Sequence, residues 1–160
     1  MKRRPASRRA AQGGFTLLEV LIAIVILAFG LLGFALLQTA NIRFVQSANY
    51  RTQATNLAYD LTEQMRSNRH QSAWYTNATF APGTKAATDT ACTRPVSNAV
   101  TIDQNISRWQ CQVVKAMGAN AGATVVMVNG AATVSITWAD DRWDASNPDS
   151  PTTFALTTQL

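Results

Sequence analysis

The dominant pattern along the chain is an apolar run from Val20 to Leu37, eighteen positions without a polar or charged side chain. Read back to Phe15 it covers twenty-three residues, about 34 Å as a helix and enough to cross a bilayer. Gly30 and Gly33 interrupt the run, and they read as points of close packing or as glycines that a membrane helix tolerates. Beyond Leu37 the pattern stays helical but changes face. With an advance of about 100° per residue, Tyr50, Ala54, Leu57, Ala58, Leu61 and Met65 share an arc of about 100°, the width of a core-facing stripe. Asp60, Glu63 and Arg66 lie on the far side, together with Ile42 and Val45. The pattern predicts one long helix ending near Ser67–Asn68. Its first part offers apolar side chains to lipid or to other helices; from about Tyr50 it covers a folded head. A break near Gln38–Asn41 that resets the phase is the competing reading.

The rest of the pattern predicts a small head with an antiparallel sheet. Ser72–Thr90 reads as loop, with a turn at Pro82-Gly83; Trp74 and Tyr75 are expected to pack over the sheet, a partner surface being the competing reading. Ile102, Ile106 and Trp109 mark a short helix or turn, and Gln110–Val114 a strand carrying Cys111. Thr124–Val128 is β-prone, and Asn129-Gly130 is a hairpin signal because both residues tolerate positive φ. In Thr133–Trp138 the residues Val134, Ile136 and Trp138 alternate onto one face. Asp140–Pro151 reads as a polar loop and Phe154–Leu160 as a final edge strand. The predicted fold class is therefore α+β, a long N-terminal helix packed on a small antiparallel sheet.

Charge changes this picture at one end only. The formal net charge is +5, yet Lys2, Arg3, Arg4, Arg8 and Arg9 fall within the first fourteen residues, and the remainder holds nine basic and nine acidic side chains. No basic cluster follows Arg9, so a nucleic-acid partner is not expected. Positive charge before an apolar span keeps the basic end in the cytoplasm and sends the rest across the membrane. Cys92 and Cys111 fall in that translocated part. An even count in an oxidising compartment reads as a disulfide; two unpaired buried thiols are the competing reading. A zinc site lacks ligands, since His70 is the only histidine. Asp140, Asp141, Asp144 and Asp149 do not match a calcium-loop spacing and read as turn residues. No nucleophile, phosphate loop or ligand set is apparent, so no enzyme activity, metal or cofactor is expected.

The most specific feature is Gly13-Gly14-Phe15-Thr16-Leu17-Leu18-Glu19. Glu19 is the only ionisable side chain between Arg9 and Arg43, and carboxylates in apolar membrane segments are expensive and usually functional. A secretory signal has a shorter apolar region ending in small residues, and a twin-arginine signal does not continue from Ser7-Arg8-Arg9 into an apolar stretch. A plain single-pass anchor does not account for Glu19. Cleavage after Gly14 frees an α-amino group on Phe15. On a helix Phe15 and Glu19 are i and i+4 and share a face, so an amine and a carboxylate buried together neutralise each other, either within one chain or between neighbours.

Glycine, aromatic residue, a short gap and glutamate resemble the class III signal of type IV prepilins. Downstream, Gly30-Leu31-Leu32-Gly33, Leu37-Gln38, Arg51-Thr52-Gln53-Ala54, Leu57-Ala58 and Met65-Arg66-Ser67-Asn68 resemble the minor pilins called PilV in order and spacing. The likeness is close over Gly13–Asn68 and looser in the head. It implies a leader at 1–14, an assembly helix at 15–37, an amphipathic continuation at 38–68 and a periplasmic head at 69–160. It further implies cleavage by prepilin peptidase between Gly14 and Phe15, N-methylation of Phe15, and docking guided by Glu19. The expected partners are other minor pilins, the major pilin and the inner-membrane assembly machinery. The expected locations are the inner membrane and then the pilus. Major pilins carry a proline where this chain has Leu36, which points to a minor subunit that primes assembly. A minor pseudopilin of type II secretion shares the signal and fold. A membrane-anchored periplasmic binding domain is a third reading, and no predicted pocket supports it.

Overall fold

A computed structural model of the chain describes residues 14–96, 99–139 and 151–160. The basic leader before Gly14 and the four aspartates of the loop after Ala139 lie outside the described residues. The chain divides into two compact units, the first ending at Ile42 and the second running Arg43–Leu160. Helix α1 (Leu17–Ser67) is continuous over 51 residues, with no break at Gln38–Asn41. In the first unit it is one helix long and apolar enough to cross a membrane, with no buried side chain.

The second unit has the α+β architecture that its periodicities predict. Along α1 the residues Ala54, Ala58, Leu61, Thr62 and Met65 are buried, with Tyr50 and Leu57 partly so. This is the stripe expected from 3.6-residue spacing, while Asp60 and Glu63 remain exposed. The helix stops where Asn68 takes non-helical angles, and Arg69–Ala78 follows as a 3-10 segment with a kink at Gln71. The short helix α2 (Asp89–Cys92) comes next, started by Thr88, whose hydroxyl accepts from the Ala91 N–H. Ser72–Thr90 is therefore not all loop.

A larger departure is α3 (Ile102–Met117). Gln110–Val114 is not a strand but part of this helix. Thr101 and Gln104 form a capping box, which satisfies two otherwise orphaned donors. The buried residues Ile106, Trp109, Gln110, Val113, Val114 and Met117 then repeat at helical spacing. The β-branched pair Val113-Val114 has strand propensity, but burial of this stripe against the core overrides it.

Strands β1 (Gly122–Val128), β2 (Ala131–Ala139) and β3 (Pro151–Gln159) form an antiparallel meander in that order. Asn129 and Gly130, at φ 50° and 78°, make the two-residue turn of the first hairpin. Register sets Val125 opposite Val134 and Val134 opposite Leu156, so Val125, Val134, Ile136, Trp138, Phe154 and Leu156 share the inner face. That face meets α1 and α3 in one core containing Leu61, Met65, Tyr75, Trp109 and Trp138. Tyr75 is fully buried whereas Trp74 is 60% exposed; of this pair only Tyr75 packs inward. Pro82 lies against β1 so closely that a Cβ at Gly122 would sit 2.8 Å from its ring.

Candidate functional site

At the start of α1, Gly14, Phe15 and Thr16 are non-helical and exposed. The Thr16 carbonyl accepts from the Glu19 and Val20 N–H groups at 3.1 and 3.3 Å, and its hydroxyl accepts from the Glu19 N–H at 3.2 Å. Thr16 thus caps the helix, and Glu19 sits in the first turn, where the helix dipole favours a carboxylate. Phe15 therefore lies outside the helix and not within it, and Thr16-x-x-Glu19 is the capping-box spacing that marks the start. Phe15 and Glu19 nevertheless line one shallow surface groove with Val20, Ala23, Ile24 and Leu27.

Between Phe15 and Leu37 every large apolar side chain is exposed, from 49% at Val20 to 84% at Phe15. A surface of this length and composition requires lipid or other helices around it. Glu19 is the one ionisable side chain in this segment.

In the second unit, a disulfide joins Cys92 at the end of α2 to Cys111 in α3, with Cα atoms 5.2 Å apart. Cys111 is buried, whereas α2 buries no residue, so the bond fastens an otherwise thinly packed segment to the core. Further polar contacts fix the helices. The Trp109 indole N–H donates to the Leu57 carbonyl at 2.8 Å. Gln110 is buried and its amide donates to the Asn77 and Ala78 carbonyls at 3.2 Å. The Asn68 amide donates to the Tyr75 hydroxyl at 3.1 Å. Burial raises the Tyr75 pKa above its ordinary value, and the Asn68 hydrogen bond opposes that shift in part. Among the described residues no group of three or more His, Cys, Asp or Glu side chains converges as a metal site would require. His70 is exposed and stands apart from any such cluster.

Two family models match the chain. Residues 9–35 match the prokaryotic N-terminal methylation motif, which takes in Gly14, Phe15 and Glu19. Residues 36–113 match the type IV pilin Tt1218 family, a stretch that includes the inner stripe of α1, both cysteines and most of α3. No curated protein and no solved structure is significantly similar to the chain. The two matches abut without overlap, one on the exposed apolar helix with its capped carboxylate and the other on the helices that build the head, and the chain belongs to the type IV prepilin superfamily.

Proposed function

We infer that the chain is a minor pilin of the PilV kind, a structural subunit that helps prime the type IV pilus. Prepilin peptidase cuts between Gly14 and Phe15 and methylates the new amine. The helix then holds the subunit in the inner membrane, with the head on the periplasmic side, until it joins other minor pilins and the major pilin. The observation that carries this reading is the single carboxylate, Glu19, in an otherwise uncharged and exposed apolar helix surface. A carboxylate moved into an apolar bundle loses hydration and requires a partner, and the Phe15 amine of the same chain or of a neighbour is the cation that processing creates. Leu36 supports a minor role, since the proline that breaks the helix of major pilins is absent there and α1 runs through the position as helix.

The test separates processing from recruitment. In Gly14→Arg, mass spectrometry of the membrane fraction should find the leader intact, where the unaltered chain starts at N-methyl-phenylalanine. In Glu19→Leu, insertion and cleavage should proceed while sheared pili lose the subunit or fall in number. Normal piliation with the Glu19→Leu chain incorporated at the unaltered level would reject Glu19 as the recruitment element. An unmethylated chain starting elsewhere than Phe15 would reject the processing step.

A further inference from the structure

The two edges of the sheet differ. On the β1 side the outward main-chain groups of Ala123 and Val125 are covered: Phe80 exchanges hydrogen bonds of 2.8 and 3.0 Å with Ala123, and the Thr79 hydroxyl accepts from the Val125 N–H at 2.9 Å. Among the described residues the β3 side has no such main-chain cover. Leu160 donates to the Gly130 carbonyl at 3.1 Å, and this pair lies in register with β2·β3. Antiparallel pairs alternate between hydrogen-bonded and non-hydrogen-bonded positions. The main-chain groups of Thr152, Phe154, Leu156 and Thr158 therefore face β2, and those of Thr153, Ala155 and Thr157 face away from it. The last three residues are exposed, and among the described residues no hydrogen bond beyond the sheet reaches their N–H or C=O groups.

Exposed edges are normally blunted by charge, proline or a bulge. Thr152–Leu160 contains no charged residue, no proline and no glycine, and its pairing with β2 runs in register from Pro151 to Gln159 without a bulge. The outward face beside it, formed by Val126, Thr133, Ser135, Thr137, Ala155 and Thr157, is uncharged as well. On the inner face Phe154, Leu156 and Leu160 are only partly buried; at Thr158 the Arg66 guanidinium donates to the hydroxyl at 2.7 Å, and among the described residues the core is open along Phe154 and Leu156. These features specify the chemistry of what would complete the edge. Unpaired strand amides and carbonyls, recurring about every 6.8 Å, are matched by another extended main chain and not by a helix, whose own groups are already used. One side of that strand would be apolar, to extend the core past Phe154 and Leu156. Its other side would be uncharged.

We propose that the β3 edge receives an extended strand from a neighbouring subunit of the assembly, paired through Thr153, Ala155 and Thr157. Strand addition of this kind draws affinity from main-chain hydrogen bonds and selectivity from alternate side chains. The proposal rests on the assembly reading above. It is tested by amide exchange, resolved to single residues, on the full chain purified from membranes in mild detergent, alone and in complex with its co-purifying pilins. In the complex, Thr153, Ala155 and Thr157 should exchange at least tenfold more slowly than in the isolated chain, while Phe154 and Leu156 stay slow in both. Equal rates in a recovered complex overturn the edge proposal and leave the assembly reading standing; a chain that recovers no pilin overturns both. Protection that grows with concentration in the isolated chain identifies a second copy as the occupant and overturns the neighbouring-subunit assignment. Ala155→Pro removes one outward N–H without touching the β2 ladder and should lower complex recovery at least tenfold. Ala155→Lys keeps every N–H, places a charge on the uncharged face and should act in the same direction even where the proline variant fails to fold. Unaltered recovery of Ala155→Lys refutes the proposal.

Discussion

Replacing Cys92 and Cys111 together by alanine tests what the disulfide holds. The bond joins positions separated by 19 residues, and in the chain-entropy model a loop of that size stabilises by about 3 kcal/mol through restriction of the unfolded chain. That figure assumes the native loop stays equally ordered without the bond. Here it does not follow, because α2 buries no residue and most of the described residues between Ala81 and Val100 are exposed. The native loop also gains freedom once the bond is removed, so about 3 kcal/mol is a ceiling. For a unit of this size the ceiling corresponds to a fall in melting temperature of roughly 10 °C. Thermal unfolding of the full chain in detergent, followed by circular dichroism, reads the loss, and limited trypsin digestion locates it. Cleavage should appear at the exposed Lys85 of the double variant under conditions that spare the unaltered chain, with the sheet still intact. A loss far above 3 kcal/mol, or unfolding of the sheet without prior cleavage near α2, would show that the bond holds the core rather than a segment fastened to it.

The two buried tryptophans should respond differently to the same change. Trp109→Phe removes the hydrogen bond to the Leu57 carbonyl, whereas the Trp138 indole N–H has no partner among the described residues; in chemical denaturation Trp109→Phe should lose about 1 kcal/mol more than Trp138→Phe, and equal losses would contradict this assignment. Tyr75 predicts an alkaline limit. Its folded pKa is raised mainly by burial, so its contribution is fully present below the unfolded value near 10 and is lost as pH rises through the folded pKa. Tyr75→Phe should flatten this part of the stability profile above pH 10, and an identical slope in the two proteins would rule it out.

Local pattern determined much of this protein. The apolar run and the stripe from Tyr50 to Met65 specify α1 because each is a periodicity that every turn of the helix repeats. Asn129-Gly130 and the alternation of Val134, Ile136 and Trp138 specify a hairpin for the same local reason. The prepilin signal is legible because its chemistry lies within a few consecutive residues, Gly14 to Glu19. Thr101-x-x-Gln104 and the spacing Ile102, Ile106, Trp109, Val113 mark the whole of α3, although Gln110–Val114 taken by itself has strand propensity. The Thr16 cap was present in the sequence in the same way.

Other features depend on chain segments far apart in sequence, and only the tertiary structure decided them. Tyr75 turns inward and Trp74 outward because the 3-10 segment aims one ring at Asn68 and the core and leaves its neighbour in solvent. The Trp109 indole finds its acceptor at Leu57, 52 positions away, and no local pattern encodes that pairing. The open edge is the clearest case. Hydrophobic alternation shows that β3 is a strand, but it cannot show that Phe80 and Thr79 cover β1 while nothing among the described residues covers Thr153, Ala155 and Thr157. A strand's side chains carry its pattern along the sequence; its main-chain partners are supplied by whatever the fold brings alongside.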